Sequence, residues 1–146
     1  MNYPTPYFIV YENLLRRNLD LITQVAQRSG AKIIMAFKAN ALWRTFGVFR
    51  EYGICATASS VNELKLANEE LHHLAHSYCP VYTDSTIKEF IQGSSHITFN
   101  SLSQFHRYKS LIDSHNASAA NHRVSMGLRI NPMCSVVETG IYDPCA

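Results

Sequence analysis

Apolar and polar positions along the chain switch between a short and a helical period. Tyr7-Phe8-Ile9-Val10-Tyr11 is a run of aromatic and β-branched residues that predicts a first strand. Leu15, Leu19, Ile22 and Val25 then return at helical spacing, and Gly30 stands where such a helix would stop. Lys32-Ile33-Ile34-Met35-Ala36-Phe37 is a second apolar run, expected of a strand buried on both faces. A helix over residues 42–52, closed by Gly53, leads to a short third strand, Ile54-Cys55-Ala56-Thr57. Ser60-Val61-Asn62-Glu63 matches a capping box: Ser60 accepts from one backbone N–H and Glu63 reaches back to another. The helix so begun runs through Leu64, Ala67 and Leu71. A fourth strand is expected over residues 76–81, a helix led by Asp84 ends at Gly93, and a fifth strand covers 96–99. Ser101 is placed to cap the next helix, whose Leu102, Phe105, Tyr108 and Ile112 form one stripe. The polar residues 113–123 read as a loop, 124–130 as a sixth strand, and 131–146 show no clear period.

Six strands joined mostly by helices predict a parallel sheet, because parallel neighbours need long crossovers. Periodicity alone leaves two architectures open, an open doubly wound sheet and the first six units of a (β/α)8 barrel. A whole barrel usually takes ~250 residues, so these 146 would supply only part of one. The stretch Asp143-Pro144-Cys145-Ala146 has no closing strand or helix after it and reads as a chain cut short.

Composition narrows the partners. With 47% hydrophobic and 16% charged residues the chain supports one packed core. Its net charge of +2 comes from scattered Lys and Arg rather than a basic run, which argues against nucleic acid. No apolar stretch reaches the ~20 residues of a membrane span, and residues 1–6 lack the features of a signal peptide. Cys55, Cys79, Cys134 and Cys145 are far apart and are expected as reduced thiols of a cytoplasmic protein.

In sheets of this kind the chemistry gathers past the C-terminal strand ends. That rim is expected to carry Lys38, Asn40, Ser59, Ser60, Asn100, Ser101, Arg129, Asn131 and Pro132. A lysine ending a buried strand is partly desolvated, which makes it a better amine nucleophile, suited to Schiff-base formation with an aldehyde. A strand-end lysine that snorkels to solvent is the alternative.

Met35-Ala36-Phe37-Lys38-Ala39-Asn40 resembles the lysine motif of the alanine-racemase-like, fold-type III pyridoxal phosphate enzymes. The wider pattern is most similar to the carboxynorspermidine/carboxyspermidine decarboxylases. Thr5-Pro6-Tyr7-Phe8, Trp43, Thr57-Ala58-Ser59-Ser60 with Glu63, and Tyr78 with Pro80 carry the resemblance. So do Asn100-Ser101-Leu102-Ser103-Gln104, Leu128-Arg129-Ile130-Asn131-Pro132 and Tyr142-Asp143-Pro144-Cys145-Ala146. The resemblance implies that residues 1–146 are the incomplete N-terminal part of a pyridoxal 5'-phosphate-binding barrel domain, with the C-terminal β domain absent. It implies Lys38 as the Schiff-base residue, and Lys38, Arg129, Ser59 and Asn100 as cofactor contacts, with Arg129 near the ring hydroxyl. The implied reaction is decarboxylation of a polyamine precursor in spermidine or norspermidine biosynthesis, by enzymes that work as homodimers. Asp143 is a candidate for the substrate amine, or simply a turn residue before proline.

Asn40 departs from the closest family toward alanine racemases and diaminopimelate decarboxylases, which keeps those activities as alternatives. The family's glycine-rich phosphate loop has no counterpart, since all six glycines are isolated. The chain by itself is therefore expected to be inactive, a further alternative being a non-catalytic remnant that holds the cofactor weakly or not at all. His72, His73 and His76 straddle a helix end and a strand start, and no metal is expected there. Glu63 is accounted for by the capping box, and Cys145 by a plain thiol.

Overall fold

The computed structural model describes residues 4–118, 122–143 and 145. Residues 1–3, residues 119–121 of the polar segment, and Pro144 and Ala146 of the closing motif lie outside them. Helix α1 (Glu12–Ser29) ends at Gly30, whose φ of 69° is the left-handed cap that glycine adopts without a Cβ penalty. Strand β1 (Ile34–Ala36) follows, then a 3-10 turn (Trp43–Thr45) and α2 (Phe46–Glu51). Next come β2 (Cys55–Ala58) and α3 (Val61–Lys65), which runs on into a π-helical turn (Leu66–Glu70). The remaining units are β3 (Ala75–Tyr78), α4 (Ile87–Gly93), β4 (Ser94–Phe99), α5 (Leu102–Ser118) and β5 (Ser125–Leu128), with a 3-10 turn at Gly140–Tyr142.

The five strands are all parallel and lie in the sheet in chain order. Sequential order means that every crossover winds the same way, so right-handed connections put the helices on one face. That is the winding of a barrel. A doubly wound sheet reverses its order at a switch point, and no reversal occurs among the described strands. Burial follows the same division. Ala56 and Ala58 of β2, Ala75 and Ser77 of β3, and Ile97 and Phe99 of β4 are buried beneath the helices, where Phe46, Leu64, Phe90 and Ile112 meet them. Their strand neighbours Thr57, His76, Tyr78 and Thr98 point the other way and are only half-buried. The expectation that the second apolar run is a strand buried on both faces therefore fails: Ile34, Met35 and Ala36 of β1 are only half-buried, because among the described residues helices cover one side only.

Three more expectations are corrected. Residues 7–11 form no strand: each of the five is more than 40% exposed, and among the described residues the sheet begins at β1, which pairs there only with β2. High β-propensity does not make a strand without a neighbour to bond. Strand β3 ends at Tyr78 rather than at 81, consistent with Pro80, which lacks the N–H that a ladder requires. Residues 113–118 are helical because packing and side-chain bonds, one of them within the helix itself, outweigh their loop-like composition. Ile112 is fully buried, Lys109 pairs with Asp113, and the Asn116 amide closes two bonds with Val124, at 2.7 and 2.9 Å. No helix among the described residues is long and apolar enough to cross a membrane.

Candidate active site

Phe37 positions the lysine. Its ring is buried and stacks on Phe46 at 5.5 Å, while Ala39 and Asn40 both donate to the Ala36 carbonyl and turn the chain sharply. Asn40 then accepts from the Leu42 N–H, a side-chain turn of the kind Asn makes readily. Lys38, between the anchor and the turn, is left exposed on the rim. Of the two readings of Lys38, buried strand end or side chain reaching solvent, the exposed one holds, since β1 is an edge strand among the described residues and Lys38 lies beyond its last residue.

Lys38 opens on a cavity of about 450 Å³ that Thr57, Ser59, Glu63, Tyr78 and Pro80 also line. The wall at Ser59 is fixed by the start of α3. Ser60 is the N-cap, and its hydroxyl accepts from the Glu63 N–H at 3.2 Å. The Glu63 carboxylate reaches one residue farther back than a capping box requires, accepting from the Ser59 N–H at 2.6 Å and the Ser59 hydroxyl at 2.7 Å. The opposite wall, after β3, is strapped to α5. Gln104 donates to the Pro80 carbonyl at 2.8 Å and accepts from the Tyr82 N–H at 3.2 Å. The Tyr82 phenol is driven up in pKa by burial and donates to the Thr98 carbonyl, so it serves as a strut.

Asn100 and Arg129 meet each other at the rim. Arg129 donates through Nη1 to Asn100 Oδ1 and to the Tyr78 hydroxyl, each at 3.1 Å, and Tyr78 donates to Asn100 Oδ1 at 3.0 Å. Tyr78 thus joins this pair to the cavity that holds Lys38 and Ser59. Asp143 does not line that cavity. Its Oδ1 accepts from the Cys145 N–H at 2.8 Å, the turn arrangement, while Asn131 donates to the Cys145 carbonyl and ties the tail to the end of β5. The sequence pattern does not mark Tyr78 as a rim residue, because it carries the strand to residue 81, three beyond the end of β3. Pro80 was the available signal that the rim comes earlier. Among the described residues, no three or more His, Cys, Asp or Glu side chains are arranged to hold a metal ion.

No protein-family model matches the chain. It is 39% identical over 142 residues to the carboxyaminopropylagmatine decarboxylase of Synechocystis, covering 97% of this chain and 35% of that protein. It is 36% identical over 140 residues to the carboxynorspermidine/carboxyspermidine decarboxylase of Herminiimonas arsenicoxydans, covering 96% of this chain and 36% of the relative. The enzyme of the same name from Campylobacter jejuni is 35% identical over 141 residues, covering 97% and 35%. In structure, the chain matches the carboxynorspermidine decarboxylase of Campylobacter jejuni solved with norspermidine. The TM-score is 0.73 at 27% identity, over 91% of this chain and 43% of that one. The chain spans about a third of the length of these curated relatives. In sequence and in fold it is a homologue, over that third, of the carboxynorspermidine/carboxyspermidine decarboxylases.

Proposed function

We propose that these residues supply the lysine-bearing half of a pyridoxal phosphate site for decarboxylating a carboxylated polyamine. The observation that carries this reading is the shared cavity of Lys38 and Tyr78, with Arg129 and Asn100 bonded to Tyr78 at its edge. The residues present fit one half of the cofactor. Lys38 offers an amine for an aldehyde carbon, and Arg129 offers guanidinium donors for a ring oxygen. For the phosphate, the six glycines are all isolated, so no glycine-rich loop stands ready to cradle it.

Bound pyridoxal phosphate supplies an electron sink for the pair released when a carboxylate leaves as carbon dioxide. The chain's own residues hold and orient. Lys38 presents its amine from a turn anchored by Phe37, and the Ser59–Glu63 clasp fixes one wall. The Pro80 loop, strapped by Gln104, fixes the other. Asp143, within the tail that returns to the end of β5, is the proposed partner of a substrate ammonium, and pairing of two copies belongs to the same proposal. The exposure of Lys38 and the lack of a phosphate cradle favour a second reading for the chain taken alone, in which it holds the cofactor loosely and turns over no substrate.

Joining these residues to the other two thirds of the Campylobacter jejuni relative tests the proposal. The chimera is expected to release carbon dioxide from carboxynorspermidine, the chain alone to release none, and Lys38→Ala to silence the chimera. A chimera that stays active with Lys38→Ala would refute the assignment.

A further inference from the structure

Three successive strand ends converge on one hydrogen-bonded triangle. Tyr78 is the last residue of β3, Asn100 follows β4, and Arg129 follows β5. The register sets Tyr78 beside Thr98 and Thr98 beside Gly127. Asn100 and Arg129 each stand two residues further on, so all three side chains leave the sheet on the face away from the helices. Each side of the triangle is a hydrogen bond, and the Arg129 guanidinium carbon lies 5.9 Å from the centre of the Tyr78 ring.

The donor and acceptor count assigns the roles. A carboxamide oxygen has two lone pairs, and Asn100 Oδ1 takes one hydrogen bond from Tyr78 and one from Arg129. Both are filled before any ligand arrives. The Tyr78 hydroxyl gives its single hydrogen to Asn100 and accepts from Arg129. Of the three residues, Tyr78 is the one that also lines the Lys38 cavity. We propose that Tyr78 is a positioning residue, which together with Asn100 holds the Arg129 guanidinium at the Lys38 cavity in a geometry ready for a ligand oxygen. This inference rests on the reading of the cavity as the cofactor site and reassigns Asn100, whose carboxamide oxygen acts on Arg129 rather than on the cofactor. A guanidinium ordered in advance spares the ligand the entropy of ordering it.

Two measurements on the same variants test it. In the chain without cofactor, nitrogen NMR of the arginine side chains reports whether the Arg129 guanidinium rotates, with its signals assigned by their loss in Arg129→Lys. The two Nη signals are expected to be resolved in the parent chain and to merge in Tyr78→Phe and in Asn100→Ala. Tyr78→Phe keeps the ring as cavity wall and removes only the hydroxyl, and backbone amide dispersion confirms that each variant is folded. Treatment with pyridoxal phosphate and borohydride then reads the ligand side. Labelling of Lys38 in Tyr78→Phe is expected to fall on the order of tenfold, the size of one hydrogen bond to a charged group. Arg129 signals still resolved in Tyr78→Phe would overturn the proposal, and so would merged signals with Lys38 labelling unchanged. If the parent chain is not labelled at Lys38, the cofactor-site reading fails instead, and the Arg129 signals alone decide whether Tyr78 and Asn100 hold the guanidinium.

Discussion

Removing the Glu63 carboxylate separates a structural clasp from a simple helix cap. The carboxylate accepts two hydrogen bonds from Ser59, at 2.6 and 2.7 Å, whereas the Ser60 cap contributes one bond of 3.2 Å to the Glu63 N–H. A hydrogen bond to a charged group is worth roughly 1.5–3 kcal/mol net. Ser59 is exposed and Glu63 half-buried, so water competes for both bonds and the pair together is worth about 2 kcal/mol. Glu63→Gln keeps a carbonyl acceptor without the charge and should lose about half of that. Loss of the Ser60 cap in Ser60→Ala costs about 1 kcal/mol. In a domain of this size each kcal/mol moves Tm by about 2–4 °C, so Glu63→Ala is expected to melt about 4–8 °C lower and Glu63→Gln and Ser60→Ala about 2–4 °C lower. Thermal unfolding followed by circular dichroism gives the order directly. A Glu63→Ala variant that melts within about 1 °C of the parent would show that the clasp on Ser59 stabilises nothing, and one that melts above Ser60→Ala would show that the clasp is weaker than the cap.

Two further outcomes follow from the interior and from the uncovered face. Ser77 and Ser94 share a fully buried hydroxyl pair at 2.7 Å, so either alanine substitution alone strands the other hydroxyl and should cost about 1–3 kcal/mol in urea unfolding. The double variant should lose less than the sum of the two, and strict additivity would show that the hydroxyls are not coupled. His76 stacks on His96 at 4.0 Å, and its pKa lies below the ordinary 6.5, first through burial and then through repulsion from His96 and Lys32. The unfolded chain therefore takes up that proton more readily than the folded one, and this contribution to stability falls as pH drops below 6.5. In His76→Gln the loss of stability between pH 7 and pH 5 should be shallower, and an unchanged slope would rule out this histidine as its source.

The parallel βα alternation was legible because apolar runs such as Ile33-Ile34-Met35 and capped helices such as the one after Ser60 carry both their period and their boundaries in the chain. The rim positions of Lys38, Ser59, Asn100 and Arg129 followed from that alternation alone. What failed depended on neighbours. Residues 7–11 have the composition of a strand and no described strand beside them, while residues 113–118 have the composition of a loop and a helix held in place by Ile112 and Asn116. The exposure of Lys38 was one of two readings its strand-end position left open, and local pattern did not decide between them, since whether a strand lies at an edge is a property of the sheet. The Tyr78–Asn100–Arg129 triangle spans 51 residues between Arg129 and Tyr78 and is set by register, which no local pattern records.

The placement of the cofactor amine is tested most directly by treating the purified chain with pyridoxal phosphate, reducing it with borohydride and mapping the modified lysines by mass spectrometry. Modification of Lys38 in clear preference to the other lysines, lost in Lys38→Ala, is the expected result. Weak modification spread evenly over Lys32, Lys38, Lys65, Lys88 and Lys109 would contradict it and show that these residues alone do not form the site.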